Sequence, residues 1–175
     1  AYAATGETRY RDWILEYIDA WVERTESNGG LIPTNIGLDG SIGGETDGKW
    51  YGGVYGWGFS VYDPAKDGVV HRPGFQDRAH YGFGNAILLT GDRRYADVWG
   101  RMIDIVNSNA VEENGNPIYP HSFGDQGWYN FTPDKFAHGA LEVYYWTMDD
   151  RDAQRVLNDD WVKYLNDLNP DYPQD

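Results

Sequence analysis

The sequence predicts an all-α domain built from helical hairpins, and three observations predict it. Between Glu7 and Arg24 the apolar residues Tyr10, Trp13, Ile14, Tyr17, Ile18, Trp21 and Val22 recur at the three-four spacing of one helix face. From Phe75 to Ser108 two such periods meet at Gly91-Asp92, a helix stop followed by an N-cap, as in a tight helical hairpin. A hairpin of the same kind recurs: LLTGDRRYADVW can be laid over YWTMDDRDAQRV with Thr90 against Thr147, an offset of 57 residues.

The first helix takes Thr5 or Thr8 as N-cap and stops at Asn28-Gly29-Gly30. Residues 29–48 read as loop, because Pro33 and repeated glycine break any period. Trp50 to Tyr62 fits two periods. Trp57, Phe59 and Val61 alternate as in a strand, whereas Trp50, Val54, Trp57 and Val61 suit a helix. A glycine-bearing inner helix is the expectation. Each glycine there costs about 1 kcal/mol relative to alanine and is useful only where a neighbour packs closely. Asp63 to Gly74 reads as loop. Phe75–Thr90 then carries Ala79, Phe83, Ala86, Ile87 and Leu89 inward, and Arg93–Ser108 carries Tyr95, Val98, Trp99, Met102, Ile103 and Val106 inward. Residues 109–131, rich in Asn, Gly and Pro, read as a second long loop. Thr132-Pro133-Asp134 opens a helix with Pro in its first turn, running to about Met148, and the tail from Asn169 is extended.

At 175 residues the chain fits one domain, residues 1–175, large enough to bury roughly two thirds of its unfolded surface. The net charge of -14 excludes nucleic acid and anionic membrane surfaces as partners, since both repel it over a Debye length of roughly 8 Å. The chain has no cysteine, so disulfide and thiolate-zinc chemistry are absent. No histidine pair at helical spacing and no calcium loop appears, so neither metal nor cofactor is expected. No apolar run reaches the roughly 18 residues of a membrane span. The first residues, AYAATGETRY, lack a basic segment followed by an apolar one. Secretion or a bacterial periplasmic location is expected, with no signal peptide in this chain.

Function is concentrated in Gly29 to Tyr62, which holds half of the chain's 22 glycines and, from Trp50 on, a dense run of aromatic rings. Glycine lets a ligand approach the backbone, and flat aromatic faces suit the apolar face of a sugar. With 8 Trp and 14 Tyr, aromatic usage exceeds what core packing draws on, which points to rings that serve a wet, polar ligand. Trp50, Tyr51, Tyr55 and Trp57, flanked by the polar Asn35 and Lys49, are therefore expected to bind substrate, together with Tyr119, Trp128 and Tyr129 from the second long loop.

Asn85 to Trp99, NAILLTGDRRYADVW, resembles the hairpin turn of the α/α toroid shared by many glycoside hydrolases and polysaccharide lyases. NGGLIPTNIGLDGSIGGE with KWYGGVYGWGFS is similar to bacterial uronate-cleaving lyases acting on rhamnose-glucuronate linkages. The resemblance implies a polysaccharide or oligosaccharide substrate. A closed toroid takes about twice as many hairpins, so it also implies an incomplete barrel, completed by a homo-oligomer or by a remainder of the barrel.

The segment HRPGFQDRAHY gathers cations in an acidic protein. Its chemistry suits β-elimination at a uronic acid: Arg72 or His71 neutralises the carboxylate, His80 removes the adjacent carbon-bound proton, and Tyr81 or another tyrosine protonates the departing oxygen. The same residues also suit helix-surface ion pairs and packing. His121, within IYPHSFGDQGWYNF, is a further catalytic candidate, and His138 reads as structural. The rival mechanism is hydrolysis by two carboxylates about 5 Å apart for retention or roughly 6.5 to 9.5 Å for inversion. Glu45, Asp47, Asp77 and Asp125 are its candidates, although Asp beside Gly is also ordinary turn chemistry. The expected function is polysaccharide degradation, by elimination ahead of hydrolysis. The alternative from another class is a non-catalytic glycan-binding or assembly module.

Overall fold

A computed structural model describes residues 1–51, 58–63, 68–73 and 80–156. A short helix, α1 (Tyr2–Thr5), precedes α2 (Thr8–Ser27), which buries Ile18, Val22 and Thr25. Asn28 closes α2 by donating its N–H to Arg24 O, and Gly29 and Gly30 at φ 71° and 89° turn the chain away. Residues 31–51 form an irregular loop with one antiparallel bridge, Ile36 to Ile42. Strands β1 (Gly58–Asp63) and β2 (Gly68–Pro73) then pair antiparallel, with Ser60 opposite His71 and Phe59 opposite Arg72.

Helices α3 (His80–Thr90) and α4 (Arg94–Ser108) make the first tight hairpin. Most of the core lies on α4: Tyr95, Ala96, Val98, Trp99, Gly100, Met102, Ile103 and Val106 are all buried. Close packing does select glycine in a helix here, but in α3. A Cβ on Gly82 would press on Ile18 of α2, and one on Gly84 would fall inside the Trp146 ring.

Three antiparallel strands follow in the order β3 (Val111–Glu113), β4 (Asn116–Gly124) and β5 (Gly127–Thr132). Asn114-Gly115, both at positive φ (52° and 79°), makes the first turn, and Asp125-Gln126 with Gly127 at φ 85° makes the second. The last helices are α5 (Ala140–Thr147) and α6 (Asp150–Val156).

The expectation of an all-α fold is thus corrected: six helices stand beside a two-stranded and a three-stranded sheet among the described residues, a mixed α/β architecture. Residues 109–131 looked like loop because the buried alternate positions of β4 are Pro120 and Ser122, which carry no hydrophobic signal. Gly58 to Tyr62 is strand, so the inner helix is not formed over that part, and Gly68–Pro73, expected as loop, is its partner. Residues 52–57, 64–67, 74–79 and 157–175 lie outside the described residues. The helix expected from Thr132 begins only at Ala140. Thr132 still belongs to β5, and Asn107 holds the intervening segment by accepting Phe136 N–H at 2.9 Å and donating to Phe136 O at 2.8 Å. With sheets between the helical pairs, the α/α toroid is overturned as well.

The offset of 57 residues is nonetheless realised in the turns. Gly91 and Met148 both adopt the left-handed conformation, at φ 72° and 50°, and donate to Ile87 O and Tyr144 O at 2.7 Å. Asp92 and Asp149 accept from the N–H two residues on, at 3.0 and 2.9 Å. The two hairpins are joined through Asp152, whose side chain is 2% exposed. Its carboxylate accepts from Arg93 Nη2 at 2.8 Å, from Thr147 Oγ1 at 2.5 Å and from Arg155, which also holds Asp104. Removing one member of such a network strands the others' charge. Asp152→Ala is expected to cost about 3 kcal/mol, the low end for a buried pair because Arg93 stays partly open to water. A urea midpoint no lower than that of the exposed-site variant Asp150→Ala would refute this.

Candidate functional site

The site grows out of the glycine loop. Arg24 Nε donates to Gly40 O at 3.1 Å and ties the loop to α2. Gly43 N–H reaches Asn35 O at 2.9 Å, and a Cβ on Gly43 would collide with the backbone of Gly48, so only glycine allows this fold-back. Asn35 is buried and works inward. Its backbone N–H reaches Trp50 O at 3.1 Å, and its side-chain amide donates to Lys49 O at 2.9 Å and Tyr51 O at 2.7 Å. One asparagine thereby sets the path of Lys49, Trp50 and Tyr51.

These residues meet the tip of the β4–β5 hairpin. Trp50 and Phe123 lie 4.9 Å apart between ring centroids at 33°, Tyr51 meets Phe123 at 5.0 Å, and Trp128 meets it edge-on at 4.9 Å. All four rings are half-buried. At the rim, the Asp125 carboxylate accepts Lys49 Nζ at 2.9 Å and the Tyr51 hydroxyl at 2.8 Å. The hydrogen bond from Lys49, seconded by that from Tyr51, holds the Asp125 carboxyl below the usual carboxylate range. The same bond to Asp125 raises the Tyr51 phenol and, with the negative charge, the Lys49 ammonium.

The other expected site residues are spread more widely. Glu45 accepts Leu38 N–H at 2.9 Å within its own loop, and Asp47 stands at φ 54° in the turn before Gly48. With Asp125 engaged at the rim, these carboxylates serve turns and a clamp. Tyr129 follows Trp128 in β5 and belongs to the opposite face, exposed. His121 stands at the base of the hairpin, its Nε2 at 3.0 Å from both Asp134 O and Thr132 Oγ1. Tyr119 lies beneath Lys135, whose Nζ is 5.7 Å from the ring centre. His71 and Arg72 occupy neighbouring positions of β2, His80 opens α3, and Tyr81 is exposed in the first turn of α3. Tyr55, Trp57 and Asp77 lie outside the described residues. No group of His, Asp or Glu able to hold a metal ion occurs among the described residues, and no described helix is long and apolar enough to cross a membrane.

Sequence reasoning missed Phe123, the ring at the centre of the cluster. Its signal was available: Phe123 and Trp128 are symmetric about Gly124-Asp125-Gln126-Gly127, the spacing of a hairpin with paired aromatic flanks.

A family model described as a domain of unknown function, DUF8034, matches residues 1–119 of the 175. No curated protein matches the chain, and no solved structure does. The stretch that resembled uronate-cleaving lyases lies within the matched residues, so that resemblance, like the one to toroid carbohydrate-active enzymes, gives way to this family.

The clamp has a definite pH window. Asp125, with its folded pKa depressed, contributes stability above the unfolded carboxylate value of about 3.9 and loses it as pH falls through the folded value. Tyr51, with its pKa raised, contributes below about 10 and loses it as pH rises further. Tyrosinate absorbance of the protein minus that of Tyr51→Phe should titrate above the ordinary phenol range. Asp125→Ala should bring it back down, and an unchanged midpoint in that variant would break the assignment.

Proposed function

This chain belongs to the DUF8034 family, and we propose that it recognises a polysaccharide through the ring cluster of Trp50, Tyr51, Phe123 and Trp128. One observation carries the reading. Four half-buried aromatic rings from two distant segments are held edge and face at about 5 Å beside a charged rim, and a buried asparagine fixes one of the segments. Packing alone would favour sealed aliphatic side chains. Partly open rings bordered by hydrogen-bonding groups suit the alternating apolar and hydroxylated faces of a sugar. Lys49 and Asp125 neutralise each other, so the platform presents little net charge to a neutral ligand face.

A second reading adds cleavage by β-elimination at a uronic acid with His71 or Arg72, His80 and Tyr81. What favours it is the local gathering of the four residues in sequence, His71 and Arg72 adjacent in β2 and His80 and Tyr81 in the first turn of α3.

One titration tests both. Adding neutral and glucuronate-containing polysaccharides should change tryptophan fluorescence saturably, and Trp128→Ala should weaken binding by at least about tenfold. No change with any glycan, or an unaltered affinity in Trp128→Ala, would overturn recognition at this cluster. Unsaturated-uronate absorbance rising in the same samples, and lost in His80→Ala, would support elimination. Binding without that absorbance leaves recognition alone.

A further inference from the structure

A second concavity lies away from the ring cluster, between the C-terminal half of α4, the start of β4 and the outer face of α6. It is an open groove of about 780 Å³, whose lining includes Asp104, Asn107, Tyr119, Lys135, Arg151 and Arg155. That volume is in the range of small-molecule sites. In a protein of net charge -14, three cations line it, Arg151 and Arg155 one turn apart on α6 and Lys135 from the segment between β5 and α5.

Several of the lining groups are already engaged. Arg155 holds Asp104 at 2.8 and 2.5 Å and also Asp152, so this ion pair forms a neutral wall. The Asn107 amide is used at both ends on the Phe136 backbone. Arg151 donates through Nε and Nη2 to Asp149, at 3.1 and 3.3 Å, which leaves Nη1 without a bond among the described residues. Lys135 forms no ion pair among the described residues, and its ammonium lies over the Tyr119 ring at 5.7 Å. The Tyr119 hydroxyl is likewise unbonded among them. The unspent groups are thus an ammonium, one guanidinium edge and a phenol, which together offer donors while the one lining carboxylate is already matched. Donors of this kind, two of them charged, are complementary to an oxyanion.

We propose that this groove binds a small ligand carrying a carboxylate or phosphate group, with Lys135 and Arg151 taking the anion and Tyr119 donating a further hydrogen bond. The site is independent of the ring cluster. Lys135 thus brings an unpaired charge to the groove in a chain where acids outnumber bases 28 to 14.

Glucuronate, glucose 6-phosphate and glucose share a sugar body and differ in the oxyanion, so they are suitable probes. Each is titrated into isotopically labelled full-length protein at low salt, followed by nuclear magnetic resonance. One or both acids should shift the signals of Tyr119, Lys135 and Arg151, and the tighter acid identifies the head group. Lys135→Met, which keeps the aliphatic stem, should weaken that binding by about tenfold to a hundredfold. Occupation of the ring cluster would instead move Phe123 and Trp128. The proposal is overturned if glucose shifts the groove signals equally, if neither acid shifts them, or if Lys135→Met leaves the affinity unchanged.

Discussion

A carboxylate almost cut off from water organises this molecule. Asp152 is held by Arg93 from the start of α4, by Arg155 one turn along α6 and by Thr147 at the end of α5, so one residue joins three helices. Charge in such a position is tolerable only when every partner is in place. The two helical hairpins are therefore constrained to meet in one arrangement. Arg93 also reaches Asp149 and Asp97, and Arg155 reaches Asp104, which extends the same network onto both turns and along α4. Hydrophobic burial of Trp99, Met102, Ile103 and Val106 supplies the larger driving force. The ion network selects the geometry in which that burial occurs.

From α4 the constraint passes to the ring cluster. Asn107 fixes Phe136, and His121 bonds to the carbonyl of Asp134 just before it, so the base of the β4–β5 hairpin is anchored to the helical layer. The hairpin tip projects from that anchor and carries Phe123, Asp125 and Trp128. The opposite wall comes from the glycine loop, tied to α2 through Arg24 and shaped internally by Asn35. The bonds of Arg24, Asn35 and Asn107 that anchor the walls are part-buried, while the contacts between the two walls, Lys49 and Tyr51 on Asp125, are exposed and open to screening by salt. The two walls are thus each firmly based and joined to one another by contacts that water and ions can weaken.

The helices α2 and α4 were legible in the sequence from their periods, and α4 buries the expected face; of the seven apolar positions expected to line one face of α2, only Ile18 and Val22 are buried, while Trp13, Ile14 and Tyr17 are exposed. The turn chemistry of Thr90-Gly91-Asp92 and Thr147-Met148-Asp149 was legible as well, since the cap and stop signals are local. The sheets were not. Strand β4 buries Pro120 and Ser122 and turns its aromatics to the half-open face, which inverts the usual alternation. In α3, glycines chosen for contact with Ile18 and Trp146 weaken a helix signal that burial restores. The candidate site was partly legible: Trp50, Tyr51, Trp128 and Lys49 were expected and do converge with Asn35 beneath them. Tyr119, His121 and Tyr129 separate from them because strand alternation and the length of β4 are invisible without the pairing.

Charge shows why the two surfaces of this protein differ in chemistry. Among the described residues, Arg9, Arg11, Arg93, Arg94, Arg151 and Arg155 all pair with carboxylates, and Arg24 is committed to backbone carbonyls. The surplus of acid therefore has few mobile cations to meet it. A surface that must accept a ligand in such a field has two physical routes. It can cancel its own charge and rely on ring faces, as Lys49 and Asp125 do beside the aromatic cluster. Alternatively, it can keep a cation back from pairing, as Lys135 is kept over Tyr119, where the ring's negative face steadies the ammonium without neutralising it.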